Sequence, residues 1–104
     1  MNMNAMMKQL QQVQKKVLSA QQELESARIE GEAGGGKVRV VLTGKGDIEE
    51  VKIDKSVVDP EDVELLEDLL MTAFKQAREE ISRRSEEIMG AVKVPGMPGM
   101  GGFR

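Results

Sequence analysis

Apolar residues recur along the first 27 positions with unusual regularity. Met3, Met6, Leu10, Val13, Val17, Ala20, Leu24 and Ala27 follow one another in alternating steps of three and four. That spacing is a heptad seam sustained for almost four repeats, and it predicts a helix packed along its length against another helix. The intervening positions are mostly Gln, Lys and Glu, all good helix formers. No Gly or Pro interrupts before Gly31. Such a helix is roughly 40 Å long at 1.5 Å per residue. A globule of this size, with a radius of gyration of ~13 Å, cannot contain it. The helix must protrude or find a partner chain.

The period then changes. After the glycine-rich GEAGGGK stretch, Val38, Val40 and Leu42 alternate with Lys37, Arg39 and Val41, which predicts a half-buried strand over 37–43. Gly44-Lys45-Gly46-Asp47 reads as a four-residue turn into a second strand carrying Ile48, Val51 and Ile53. Arg28–Ala33 is ambiguous, since Ile29 could end the helix or open a short strand; we read it as a strand.

A second helix is announced by Asp59 as N-cap, Pro60 at the first helical position, and Glu61, Asp62 and Glu64 in the electropositive first turn. It should run from Pro60 to about Met89, with Gly90 as its stop. Its first half has a wide apolar face (Val63, Leu65, Leu66, Leu69, Leu70, Ala73, Phe74), implying contact with both sheet and helix. Its second half thins to Ala77, Ile81, Ile88 and Met89, as expected of an arm touching one neighbour. The Gly/Pro/Met-rich segment 91–104 reads as a flexible tail following a domain of residues 1–90.

The predicted fold is therefore α+β: long helix, small antiparallel sheet of two or three strands, long helix. A sheet that small is marginal alone. One helix half covers one face, and the remaining apolar surface most economically meets a second copy of the chain. An obligate homodimer with helical arms is expected.

Composition narrows the chemistry. The chain lacks Cys and His, so disulfides, thiolate metal sites and the usual general base are absent. Phe74 and Phe103 are its only aromatics, too few for a base-stacking platform. No catalytic residue, cofactor site or metal site is predicted, and an enzyme is a distant third reading. The N-terminus lacks the pattern of a secretory signal, and no stretch approaches the ~18 apolar residues of a membrane span. A small soluble cytoplasmic protein with no membrane partner and no small-molecule substrate is the expectation.

The formal net charge is −3, but it is unevenly spread. Residues 1–28 set Lys8, Lys15, Lys16 and Arg28 against Glu23 and Glu25. Residues 59–89 carry ten acidic and four basic groups. On the first helix, Lys8 and Lys15 share the position opposite the seam, Lys16 lies beside them, and no carboxylate sits three or four residues away. Such a row could follow a phosphate backbone or could simply keep an exposed face soluble. Arg83 and Arg84 are weaker candidates, because Glu79 and Glu80 stand four residues before them as ion-pair partners.

Gly31 to Lys37 matches G-x-x-x-x-G-K, but Val38 replaces the magnesium-binding Ser/Thr and a strand follows where a helix is required, so we read a glycine hairpin. The acidic pairs Glu49/Glu50, Glu79/Glu80 and Glu86/Glu87 point in diverging directions and read as solvated surface.

The chain also resembles the YbaB/EbfC family of nucleoid-associated DNA-binding proteins. The resemblance rests on MMKQLQQVQKKVLSAQQEL, on IEGEAGGGKVRVVLTGKGDIEEVKID, on DPEDVELLEDLLMTAFKQA and on the PGMPGMGGF tail, and covers essentially the whole length. It implies a helix–sheet–helix subunit with a third short strand around Ile29–Ala33. It further implies a tweezer-shaped homodimer whose paired prongs are associated with double-stranded DNA in the nucleoid, with roles in nucleoid organisation and gene regulation. On this chain the first prong carries Lys8, Lys15 and Lys16, and the second Arg83 and Arg84, chosen for local charge. The alternative is a prefoldin-like chaperone or scaffold holding apolar clients between arm tips through Met3, Met6 and Met89.

Overall fold

The structure, a computed structural model, describes residues 2–90; the tail predicted over 91–104 lies outside them. The order of elements is α1 (Met3–Ser26), β1 (Arg28–Ala33), β2 (Val38–Thr43), β3 (Ile48–Ile53), a 3-10 turn at Lys55–Val57, and α2 (Val63–Gly90). The strands form one antiparallel sheet in sequence order. The third strand is therefore real, and the fold is α+β.

Capping chemistry sets the helix starts. The Asn2 side chain accepts a hydrogen bond from the Asn4 amide at 3.0 Å and opens α1. At the second helix the sequence reading started too early. Asp59 accepts from the Glu61 amide at 2.9 Å within a separate turn that contains Pro60, and the Asp62 carboxylate, at 3.3 Å from the Leu65 amide, sits at the helix start. Two Asp residues in DPED can each cap, and the one nearer the apolar run prevails. Gly90, the predicted stop, is itself helical and is the last residue described.

The core lies between α2 and one face of the sheet. Ile29 and Ala33 of β1 and Val38, Val40 and Leu42 of β2 point inward against Ala73 and Ala77, with Val57 sealing one end. Leu66, Leu69, Leu70, Phe74 and Ile81 pack half-buried around them. Close approach is possible because Gly31 lies directly under the helix. A Cβ there would overlap the Ala73 carbonyl and come within 2.8 Å of the Ala77 nitrogen. Gly31→Ala is expected to lift α2 off the sheet and lower stability by about 3 kcal/mol, the cost of a badly overpacked core. Urea denaturation of the variant against wild type measures it. An unchanged midpoint would mean the helix is not seated where the contact requires.

The outer face of the sheet is charged and internally paired. Arg28 reaches Glu49 and Glu50, Arg39 lies between Glu30 and Glu32, and Lys52 meets Glu50. Val41 stays 5% exposed on this side, flanked in register by Glu30 and Glu50, whose aliphatic stems cover it.

α2 crosses β1 and β2 and leaves β3 bare. The Gln76 side chain accepts from the Glu32 amide at 2.6 Å, closing the outer edge of β1. No such cover lies over β3. Ile48, Val51 and Ile53 register with Leu42, Val40 and Val38 and share their inward face, yet they are 62%, 42% and 39% exposed. The wide apolar face of α2 is thus only half used within the chain. One flank packs on the sheet, while Val63, Leu65 and Met71 remain exposed.

Candidate nucleic-acid interface

α1 and the second half of α2 form an antiparallel pair leading away from the sheet, and the molecule measures 71 × 29 × 17 Å. Its radius of gyration of 19.7 Å far exceeds the ~13 Å of a compact chain this long. The hairpin after β2 fixes the root of the arm. Thr43 anchors that turn through its backbone and hydroxyl, and Gly44 sits so close to the end of α1 that a Cβ would overlap the Leu24 carbonyl. The chain leaves α1 at Ala27, whose amide bonds back to Leu24 oxygen at 3.0 Å.

The seam is used in a graded way. Val13, Val17, Ala20, Leu24 and Ala27 are half-buried, and Val13, Val17 and Ala20 share a groove with Ile88 of α2. Leu10 is 50% exposed and Met3 74%. Beyond Val13, α1 projects past the described end of α2.

The three lysines lie on this projecting helix. Lys8, Lys15 and Lys16 are exposed, and among the described residues none has an ion-pair partner. Lys8 and Lys15 are one heptad apart, an axial separation of ~10 Å, close to three base-pair steps at 3.4 Å. Lys16 borders the interhelical groove beside Glu87.

The two arginines are differently placed. Glu80 holds both. Its Oε2 accepts from Arg83 Nη2 at 2.6 Å and from Arg84 Nε at 2.8 Å, while its Oε1 accepts from Arg83 Nε at 3.0 Å. Arg83 Nη1 also donates to Glu87 at 2.7 Å. The four-residue spacing matches Glu79 with Arg83 and Glu80 with Arg84, and the second of these pairs forms. Arg83 turns to Glu80 as well, at i+3, and Glu79 has no ion pair among the described residues. The signal was present in the spacing, since one carboxylate preceded two adjacent arginines at both favourable distances.

Hydrogen bonds from Arg83, and then from Arg84, lower the Glu80 carboxyl to about 2 from its ordinary 4.5. A carboxylate held below its unfolded value stabilises the fold above the ordinary pKa, and that contribution disappears as the pH falls through the lowered one. Wild type should therefore melt slightly above Glu80→Gln at pH 7, by about 2 °C for an exposed pair, with the gap closing between pH 4.5 and 2. Thermal scans of both proteins across that window test it. A pH-independent gap would assign the difference to something other than the ion pairs.

The glycine motif carries no phosphate cradle. Gly31 lies within β1, and Gly34, Gly35 and Gly36 have φ of 64°, 67° and 90° in the hairpin turn to β2. Among the described residues, no three carboxylates gather to hold a metal ion, and no helix is long and apolar enough to cross a membrane.

Comparison with known proteins places these features. The model of the YbaB/EbfC DNA-binding family matches residues 1–97. The chain belongs to this family. A nucleoid-associated protein of Corynebacterium urealyticum is 46% identical over 99 residues, covering 95% of this chain and 94% of that one. A nucleoid-associated protein of Rickettsia felis is 42% identical over 98 residues, covering 93% and 92%. The crystal structure of the uncharacterized protein HP0035 from Helicobacter pylori superposes with a TM-score of 0.65 at 21% identity, covering 86% of this chain and 95% of that one. That likeness is one of fold.

Proposed function

We propose that this protein is a nucleoid-associated protein that binds duplex DNA as a homodimer, through phosphate contacts made by Lys8, Lys15 and Lys16. The observation that carries this reading is the row of exposed lysines, without ion-pair partners among the described residues, on a helix that projects from the sheet. Family membership supplies the ligand class, and the charge layout supplies the surface. Within the acidic second half, Glu80 and Glu87 are paired with Arg83 and Arg84, and the lysines lie on the other helix, away from most of the remaining acid. With two phenylalanines in the chain and Phe74 packed against the core, duplex is favoured over single strands. Contact of this kind carries little sequence information and suits nucleoid organisation, with effects on transcription following from DNA bending or bridging.

The dimer reading is supported by the uncovered face of β3 and the adjoining flank of α2. Leu70, Met71 and Phe74 line one end of an open groove of 820 Å³ along α2, which continues past Arg78, Glu79 and Arg83. A second copy, related by a two-fold axis, would cover both and place two α1 arms on one particle.

A salt-titrated gel shift with random and defined duplexes tests the function. Three lysines from each of two protomers release about six counterions. The slope of log K against log salt is then near −5, and affinity falls roughly a thousandfold between 50 and 200 mM. Equal affinity for all sequences supports a phosphate-dominated mode, and salt-insensitive binding refutes it. The exposed Met3, Met6 and Met89 favour a second reading, capture of apolar clients at the arm tips. Suppressed aggregation of a client with no DNA shift would select that reading.

A further inference from the structure

Arg83 and Arg84 are the best phosphate ligands by residue type in the second arm, since a guanidinium fork matches phosphate as well as carboxylate. We infer that Glu80 is an internal competitor for that phosphate: it holds both arginines against their own helix and so confines polyanion contact to α1. This rests on the phosphate-binding reading above and adds to it a residue that sets which arm is used.

The geometry is that of a clamp. Glu80 is bidentate toward Arg83, at 2.6 and 3.0 Å, and takes Arg84 at 2.8 Å on the oxygen that also receives Arg83 Nη2. Glu87 occupies the remaining Arg83 nitrogen. Glu80, Arg83, Arg84 and Glu87 together carry no net charge within two turns of helix. An approaching phosphate therefore meets no local attraction, and must displace a carboxylate tethered three and four residues away. That tether gives Glu80 the advantage of an intramolecular ligand. Its lowered pKa follows from the same two arginine hydrogen bonds and keeps it a competitor down to acid pH, below the range where an ordinary carboxylate would protonate. The lysines of α1 face no such competitor among the described residues.

Glu80→Gln keeps the size of the side chain and removes the competing charge. Glu79→Gln makes the same change in net charge one residue away, at a side chain with no ion pair among the described residues; because Glu79 lines the α2 groove assigned to the second copy, sedimentation first establishes that E79Q keeps the wild-type assembly state. Fluorescence anisotropy with a labelled 30-base-pair duplex, titrated from 50 to 300 mM salt, separates release of a contact from a general change of field. E80Q is expected to bind about fivefold tighter at 100 mM salt. Its slope should steepen by about 2, reflecting one Arg84 from each protomer at ~0.9 per phosphate. E79Q should gain no more than about twofold at an unchanged slope. Adding Arg84→Gln to E80Q should return the slope to the wild-type value.

If wild type binds and E80Q matches E79Q in both affinity and slope, the competitor role is overturned while the phosphate reading stands. If wild type is silent and E80Q binds, the competitor role is upheld and the lysines of α1 lose theirs. Silence of wild type and E80Q alike overturns both.

Discussion

Val51→Asp should abolish the proposed dimer. Val51 is 42% exposed on the bare inner face of β3, between Ile53 and the bulge at Glu49 that follows Ile48, and it faces the same side as buried Val40. A second copy seated on that strip and on the neighbouring α2 flank would bury it. A two-fold interface then takes in two carboxylates, one from each copy. Burying an unpaired carboxylate costs several kcal/mol. A net loss of about 4 kcal/mol corresponds to roughly a thousandfold in Kd. Sedimentation equilibrium reads this directly. Lys52→Asp is the matched control, since Lys52 points to the solvated outer face and reaches only Glu50; that variant should stay dimeric. The core within one chain is small, with Ile29, Leu42, Val38 and Val40 its largest fully buried side chains. Dissociation should therefore carry loss of stability with it, and the wild-type melting temperature should rise with protein concentration. A wild-type chain that sediments as a stable monomer, melting independently of concentration, would defeat the homodimer.

Much of this architecture is legible from period alone. The three-four seam of α1 encodes both a helix and its partner, and the alternation over 38–42 encodes a strand with one buried face. Gly44–Asp47 fixes the hairpin without help from the rest of the chain. Other features are invisible at that level because they depend on which element covers which. Ile48, Val51 and Ile53 alternate as well as the β2 residues do, yet only the path of α2 over β1 and β2 leaves them bare. Val41 falls at an outward-facing position of the alternation yet is buried on the charged face, opposite Glu30 and Glu50 of the two neighbouring strands. Gly31 falls inside the ambiguous Arg28–Ala33 stretch, and nothing in the sequence marks it as the position that lets α2 touch the sheet. The candidate site divides along the same line. Unpaired lysines follow from the lack of nearby acid in the sequence. The choice between Glu79 and Glu80 as clamp is made by side-chain geometry, which a count of i+4 matches does not resolve.

Reversing Lys8, Lys15 and Lys16 together to Glu should remove salt-dependent DNA binding. All three side chains are exposed; Lys8 and Lys15 lie opposite the interhelical face, whereas Lys16 borders it beside Glu87, so the double variant Lys8→Glu with Lys15→Glu is the control that leaves the contacts of Val13, Val17 and Ala20 untouched. Glu is as good a helix former as Lys, and α1 should retain its helicity by circular dichroism. Each lysine contributes a counterion release of ~0.9, so the dimer loses nearly the whole slope of −5 and gains six repelling carboxylates. At 50 mM salt the expected fall in affinity is at least a thousandfold. The single variant Lys15→Gln should reduce the slope by about 2, one contact from each protomer, and weaken binding alike on every duplex. Uniform loss separates phosphate contact from base readout, because removing a base-reading residue would relax discrimination at particular positions instead. Wild-type affinity in the triple variant, with the fold preserved, would move the DNA surface off α1 altogether and leave the arginines of α2 as its nearest alternative.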